Sequence, residues 1–318
     1  MIDFRYHVVS VVAVFLALAL GLFLGSTTLQ GRVFDDLKGR TDTVTKKNEA
    51  LSTQLSAANS RIRLDEGFDK ALLPAAVRGR LSGQLVTVVS APGASDSVRK
   101  QLLSALQAAG ATVSADVRLQ TAFVDPKQDA FLTSLTAHVT VPADPAPGSA
   151  DGAGRAAGQL AAVLGQRPAV HDVSSTLMDT VLSTYSAAKL ISVGHTPTTR
   201  AGTLAVVLAA AAPAPTADPT RVTAEQGLLV DLLRDLDVTA AGAVLAAPTP
   251  APGSAPDAIA SASSDSALGR AASTVTGVDT PAGQIATVFA LAAQLDGVAG
   301  HFGFGPQVTP IPSVSATP

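Results

Sequence analysis

The sequence predicts an α/β protein in which a single transmembrane helix and a coiled-coil stalk precede an extracytoplasmic, mostly parallel α/β domain. Three observations predict it. The stretch from Val8 to Gly31 carries no charge, the residues from Phe34 to Ile62 keep heptad spacing, and strand-like and helix-like segments alternate after residue 75.

The first element is the anchor. Val8 to Leu24 (VVSVVAVFLALALGLFL) is almost wholly aliphatic, long enough to cross a hydrocarbon core of about 30 Å as one helix. Ala17-Leu18-Ala19 matches the small-x-small pattern of a cleaved signal peptide. The apolar run continues past it through Leu20, Gly21, Leu22, Phe23 and Leu24, and the preceding flank is brief and weakly basic. These features favour an uncleaved anchor over residues 8–29, with residues 1–7 as a cytoplasmic tail. Arg5, His7 and the amino terminus precede the span, so the positive-inside tendency keeps that end cytoplasmic and exports the rest of the chain.

The stalk is the second element, over residues 30–66. Phe34, Leu37, Thr41, Val44, Asn48, Leu51, Leu55, Ala58 and Ile62 repeat at 3–4 spacing, the seam of a coiled coil. Asn48 falls at an a position, where a buried amide fixes register and oligomer number at some cost in stability. No proline interrupts residues 1–73, so anchor and stalk can share one helix, with Gly31 and Gly39 as soft points. As a helix, residues 30–66 would hold the next domain roughly 55 Å from the membrane. A parallel homodimer is the simplest way to bury the seam. A heteromeric partner helix or packing back onto the chain's own domain would also bury it.

The third element is the domain over residues 75–305. About 240 of the 318 residues follow the stalk, enough for one sizeable α/β domain or two small ones. There is no Trp and aromatics are 4%, so the core is built from Ala, Val and Leu. Leu85–Val89 reads as a buried strand, Ser95–Ala109 as a helix ended by Gly110, and Thr112–Leu119 as a half-buried strand. Helices follow over Asp125–Thr136, Arg155–Leu164 and Ser174–Ala188. Thr203–Ala210 is a strand, Thr223–Leu236 a helix capped by Thr223, and Ala243–Ala246 a short strand. Ser273–Val278 precedes a last helix that opens at Asp279-Thr280-Pro281 and runs to about Ala299. Strands alternating with helices predict a parallel sheet covered on both faces. Three Pro/Ala/Gly/Ser segments (Val141–Gly154, Ala212–Pro219 and Pro248–Pro256) read as surface loops, and 306–318 as a disordered tail.

Composition limits the chemistry. The net charge is −3 without a basic run, so no nucleic-acid partner is expected. The chain has no Cys, which removes disulfides, thiolate nucleophiles and thiolate metal sites. The histidines are His7, His138, His171, His195 and His301, none of them paired at helical spacing. His171-Asp172 is the one direct His–carboxylate neighbour, better read as a loop histidine beside a capping Asp than as a catalytic dyad. His195 lies in the turn Gly194-His195-Thr196-Pro197, and His301 suits a contact with a helix C-terminus. Ser90-Ala91-Pro92-Gly93 follows a strand and opens a helix, the right location for an anion site, but it lacks the Gly-x-Gly-x-x-Gly series. Gly152-Ala153-Gly154 with Gly158 follows a loop and has the wrong spacing. The expected site has no catalytic residue, no cofactor and no metal ligand set.

The opening MIDFRYHVVSVVAVFLALALGLFLGS, the heptad stalk, the segment LVTVVSAPGASDSVRKQLLSALQAAGATV and the close VDTPAGQIATVFALAAQLDGVAGHFGFG resemble the MctB family over essentially the whole chain. These are actinobacterial proteins commonly labelled copper transporters. The resemblance implies copper homeostasis, as a sensor, carrier or channel component. A related branch, similar to SteB, implies a single-pass envelope protein that works with a membrane-associated, SteA-like partner in cell separation. Copper(I) favours thiolate and thioether ligands and also accepts imidazole. This chain offers Met1, Met178 and dispersed histidines, so a copper site needs His138, His171, His195 or Met178 to converge in space. A pore needs a closed barrel or several helices. The residues therefore favour a non-catalytic interaction module at the cell envelope, with copper transport as the alternative.

Overall fold

A computed structural model describes residues 4–139, 141, 151–168, 170, 172–194, 200–305 and 308–312, with backbone only over 26–37. The chain divides into two compact units, residues 1–65 and 66–318.

Among its described residues the first unit is helical throughout. Helix α1 runs over Phe4–Val77, and Pro74 enters only in its last turn. Neither Gly31 nor Gly39 interrupts it. Phe4–Gly25 forms a span long and apolar enough to cross a membrane, with none of it buried inside the protein.

The second unit alternates strands and helices. Strand β1 (Leu85–Ser90) leads to α2 (Asp96–Ala108) and β2 (Thr112–Leu119). Then come α3 (Asp129–His138), α4 (Gly152–Leu164), α5 (Ser175–Ala187) and β3 (Ile191–Val193). Strand β4 (Leu204–Leu208), α6 (Pro219–Thr239) and β5 (Gly242–Ala247) continue the alternation. It closes with α7 (Ala258–Ser264), α8 (Leu268–Ala271), β6 (Ser273–Thr276), α9 (Pro281–Leu295) and β7 (His301–Gly303).

Among the described residues the strands make one seven-stranded sheet in the order β3-β2-β1-β4-β5-β6-β7. Every pairing is parallel except β2 with β3. The order reverses between β1 and β4, which makes that gap the topological switch point of a doubly wound sheet. Strands covered on both faces read as continuous apolar runs, and LAVVL of β4 is buried at every position. One core cluster unites Val89, Leu160, Tyr185, Val207 and Leu232 on the face covered by α4, α5 and α6. The other unites Leu73, Val77, Val88, Leu106, Val206 and Leu291, closed by the end of α1, α2 and α9.

Most helix starts are explained by capping. The side chains of Ser95, Asp151, Ser174, Asp257 and Thr280 each accept a hydrogen bond from a first-turn N–H. A Cβ at Gly283 would land on the Gly277 carbonyl, so glycine there lets α9 approach the end of β6.

The structure corrects several sequence expectations. Helix α6 begins at Pro219 under an Asp218 cap, not at Thr223; proline suits the first turn because its missing N–H is unpaired there anyway. Gly152-Ala153-Gly154 is the first turn of α4, not part of a loop. Strand β2 is not half-buried: Ser114–Val117 are all enclosed, because helices cover both faces and the polar members find partners. The last helix stops at Leu295, four residues early, and the chain returns as β7. Within the expected tail 306–318, Thr309 pairs with Phe302 and its carbonyl accepts from Gly303 N–H. Pro306, Gln307 and 313–318 lie outside the described residues.

Candidate functional site

Three cavities mark the α/β domain, two of them at the carboxyl ends of strands. One cavity of about 160 Å³ sits between the end of β2, the β1–α2 loop and the start of α2, and Ser90, Gly93, Asp96, Arg99 and Arg118 line it. A second of about 160 Å³ lies by the switch point, between Pro92, Ala209–Pro213, Glu225 and Asp257. A third of about 380 Å³ is lined by Asp125, Asp129, Asp151 and Asp231.

The four aspartates of the third cavity are engaged by its scaffold. Asp125 accepts from Lys127 N–H, Asp129 from Gly152 N–H at 2.6 Å, Asp151 from Gly154 N–H at 2.7 Å, and Asp231 from Arg234 at 2.6 Å. In the second cavity, burial pushes the Glu225 carboxyl up, and the nearby Arg221 charge partly offsets this.

The first cavity holds the densest charge. Arg99 of α2 donates to Asp116 of β2, and both side chains are at least nine-tenths buried. Arg99 also reaches Asp96 Oδ1 at 3.1 Å, and Arg118 reaches the same oxygen at 3.5 Å. Arg118 further donates to Ser192 Oγ at 3.0 Å. The hydrogen bond from Arg99, reinforced by its charge, holds the Asp96 carboxyl below the usual carboxylate range. Arg99, Asp116 and Arg118 are not among the residues that the sequence singles out. The one local signal for them is the run ADVRL, which places Asp116 and Arg118 two residues apart on one face of a strand.

The residues expected to matter lie elsewhere. On α1, Thr41, Val44, Asn48, Leu51, Leu55, Ala58 and Ile62 are helical and exposed, while the side chains of Phe34 and Leu37 lie outside the described residues. Met178 is 1% exposed inside the core. His138 is exposed at the end of α3, with Nδ1 2.7 Å from the Ser134 carbonyl. His301 is not at a helix C-terminus: it belongs to β7, where its Nδ1 lies 2.7 Å from Thr274 Oγ. Asp172 is exposed and accepts from Gln166 at 2.7 Å. His171 and His195 lie outside the described residues. Among the described residues, no group of three or more His, Cys, Asp or Glu is placed to hold a metal ion.

These features define a class: a protein with a membrane-compatible N-terminal helix and a doubly wound α/β domain. The chain belongs to the MctB family, whose model, described as "Copper transport outer membrane protein, MctB", matches residues 1–312. It is 27% identical over 310 residues to the "Copper transporter MctB" proteins of Mycobacterium tuberculosis and Mycobacterium bovis, covering 96% of this chain and 97% of theirs. A relative of the same name from Mycobacterium leprae is 30% identical over 143 residues, 45% of each chain.

Proposed function

We propose that this protein serves copper homeostasis as a single-pass, membrane-anchored component of the cell envelope, with its N-terminus cytoplasmic and its α/β domain exported. The observation that supports this most is the family match over residues 1–312, together with relatives that share nearly the whole length and carry the copper-transporter name. The physics sets the form of the role. A water-filled path across a bilayer needs a closed barrel or a bundle of helices, and the described residues supply one apolar span and an α/β sheet. Copper is therefore cargo of an assembly in which this chain is one component. Its own contribution is non-catalytic: it presents a binding domain on a stalk that pairs with a second copy through Thr41, Val44, Asn48, Leu51, Leu55, Ala58 and Ile62, with Phe34 and Leu37 extending the seam.

A second reading is favoured by the same exposed seam and single span: an envelope module acting in cell separation with a SteA-like partner. The two readings diverge in a strain lacking the gene, grown in graded copper. The copper reading predicts loss of copper tolerance with normal cell separation, restored by the whole chain. Unchanged copper tolerance with chained, unseparated cells would replace it with the second reading.

A further inference from the structure

We infer that the cavity between α2, the β1–α2 loop and the end of β2 is a binding site for an oxyanion group, a carboxylate or phosphate carried by a small ligand. Three observations carry this. Ser90 is only 2% exposed, its hydroxyl has no hydrogen-bond partner among the protein atoms, and it lines the cavity. In the sheet register Ser90 stands beside Arg118, so both side chains leave the same face of the sheet, the one α2 covers. The Arg118 Nε–H is also buried without a partner. Two unclaimed donors thus converge where buried donors are normally satisfied.

The N-terminus of α2, a 13-residue helix, adjoins them. Its first-turn N–H groups, apart from the Val98 N–H that Ser95 Oγ accepts, and the positive end of its dipole favour an anion. Gly93, at φ +77°, gives the loop the left-handed turn that leads from β1 to the helix.

The protein already places a carboxylate at the mouth of this site. The exposed Asp96 side chain bridges Arg99 and Arg118 through one oxygen. The Arg118 contact is long, at 3.5 Å, and the Asp96 side chain is 64% exposed, so it can swing to solvent and release Arg118. Arg99 stays committed to Asp116, which makes Arg118 the arginine that an incoming oxyanion recruits. Charge-assisted, forked contacts to guanidinium suit both carboxylate and phosphate.

The test is calorimetric titration of the full-length chain in detergent with inorganic phosphate and, separately, acetate. At millimolar anion the wild type binds at least one of them. Phosphate alone points to a phosphate-bearing ligand, and acetate alone to a carboxylate-bearing one. Asp96→Asn removes the competing carboxylate and tightens binding, while Arg118→Gln weakens it about tenfold, the scale of one hydrogen bond to a charge. Ser90→Ala, a smaller change that spares the ion pairs, weakens it severalfold. No binding of either anion to wild type and Asp96→Asn, or equal affinity in wild type and Ser90→Ala, overturns the assignment.

Discussion

Asp116 and Arg99 face each other in a space from which water is nearly excluded, and the pair ties α2 to β2. A buried ion pair adds little net stability against an apolar replacement, but removing one partner leaves an uncompensated charge. Asp116→Ala is therefore expected to lower unfolding stability by about 3–5 kcal/mol, and the double substitution Arg99→Met with Asp116→Leu by much less. Denaturant unfolding of the full chain followed by circular dichroism measures both, and a single-variant loss within about 0.5 kcal/mol, the size of an ordinary surface change, would contradict this role for the pair. At this scale the sequence was legible where chemistry is local. The helices expected to start at Ser95 and Ser174 are capped by those residues, and Thr280 caps the last one. It was opaque where partners come from distant segments: nothing in the sequence neighbours of Arg99 tells that Asp116, 17 residues on, takes its guanidinium. His301 shows the same limit, since its partner Thr274 is 27 residues away.

At the scale of elements, long periodic segments were legible and short ones were not. Buried parallel strands such as LVTVV announce themselves because both faces must be apolar. Strands β3 and β7, with three residues each, are too short to show a period, and their place depends on an edge that other strands create. The stalk is the element with the sharpest prediction. Along α1, Val44, Leu51, Leu55 and Ile62 are between 53% and 62% exposed, an apolar row that association with a second copy would cover. Asn48→Leu removes an amide that pairing of the seam would bury, where it would restrict partner number. It is expected to shift the oligomer distribution of the detergent-solubilised chain without changing its far-ultraviolet dichroism. An unchanged mass by light scattering would rule out the seam as the contact.

For the whole molecule, the doubly wound order could not be read from the sequence, because strand order is fixed by crossovers whose direction no local signal carries. The class could, and it placed the sheet between two helical layers. Asp129 and Asp151 are engaged by backbone N–H groups at the start of α4, and Asp231 by Arg234. What distinguishes the molecule is its architecture, a membrane-compatible helix joined in one chain to a doubly wound α/β domain. A role in copper handling by such a component is a claim about metal balance in the cell. It is tested most directly by elemental analysis of cells lacking the gene, grown in added copper, with zinc and a permeability dye measured alongside. Cell-associated copper is expected to rise while zinc and dye entry stay at the level of the parent, and the whole chain is expected to restore copper. Copper unchanged, or rising only together with zinc and dye entry, would contradict that role and make copper a consequence of a damaged envelope.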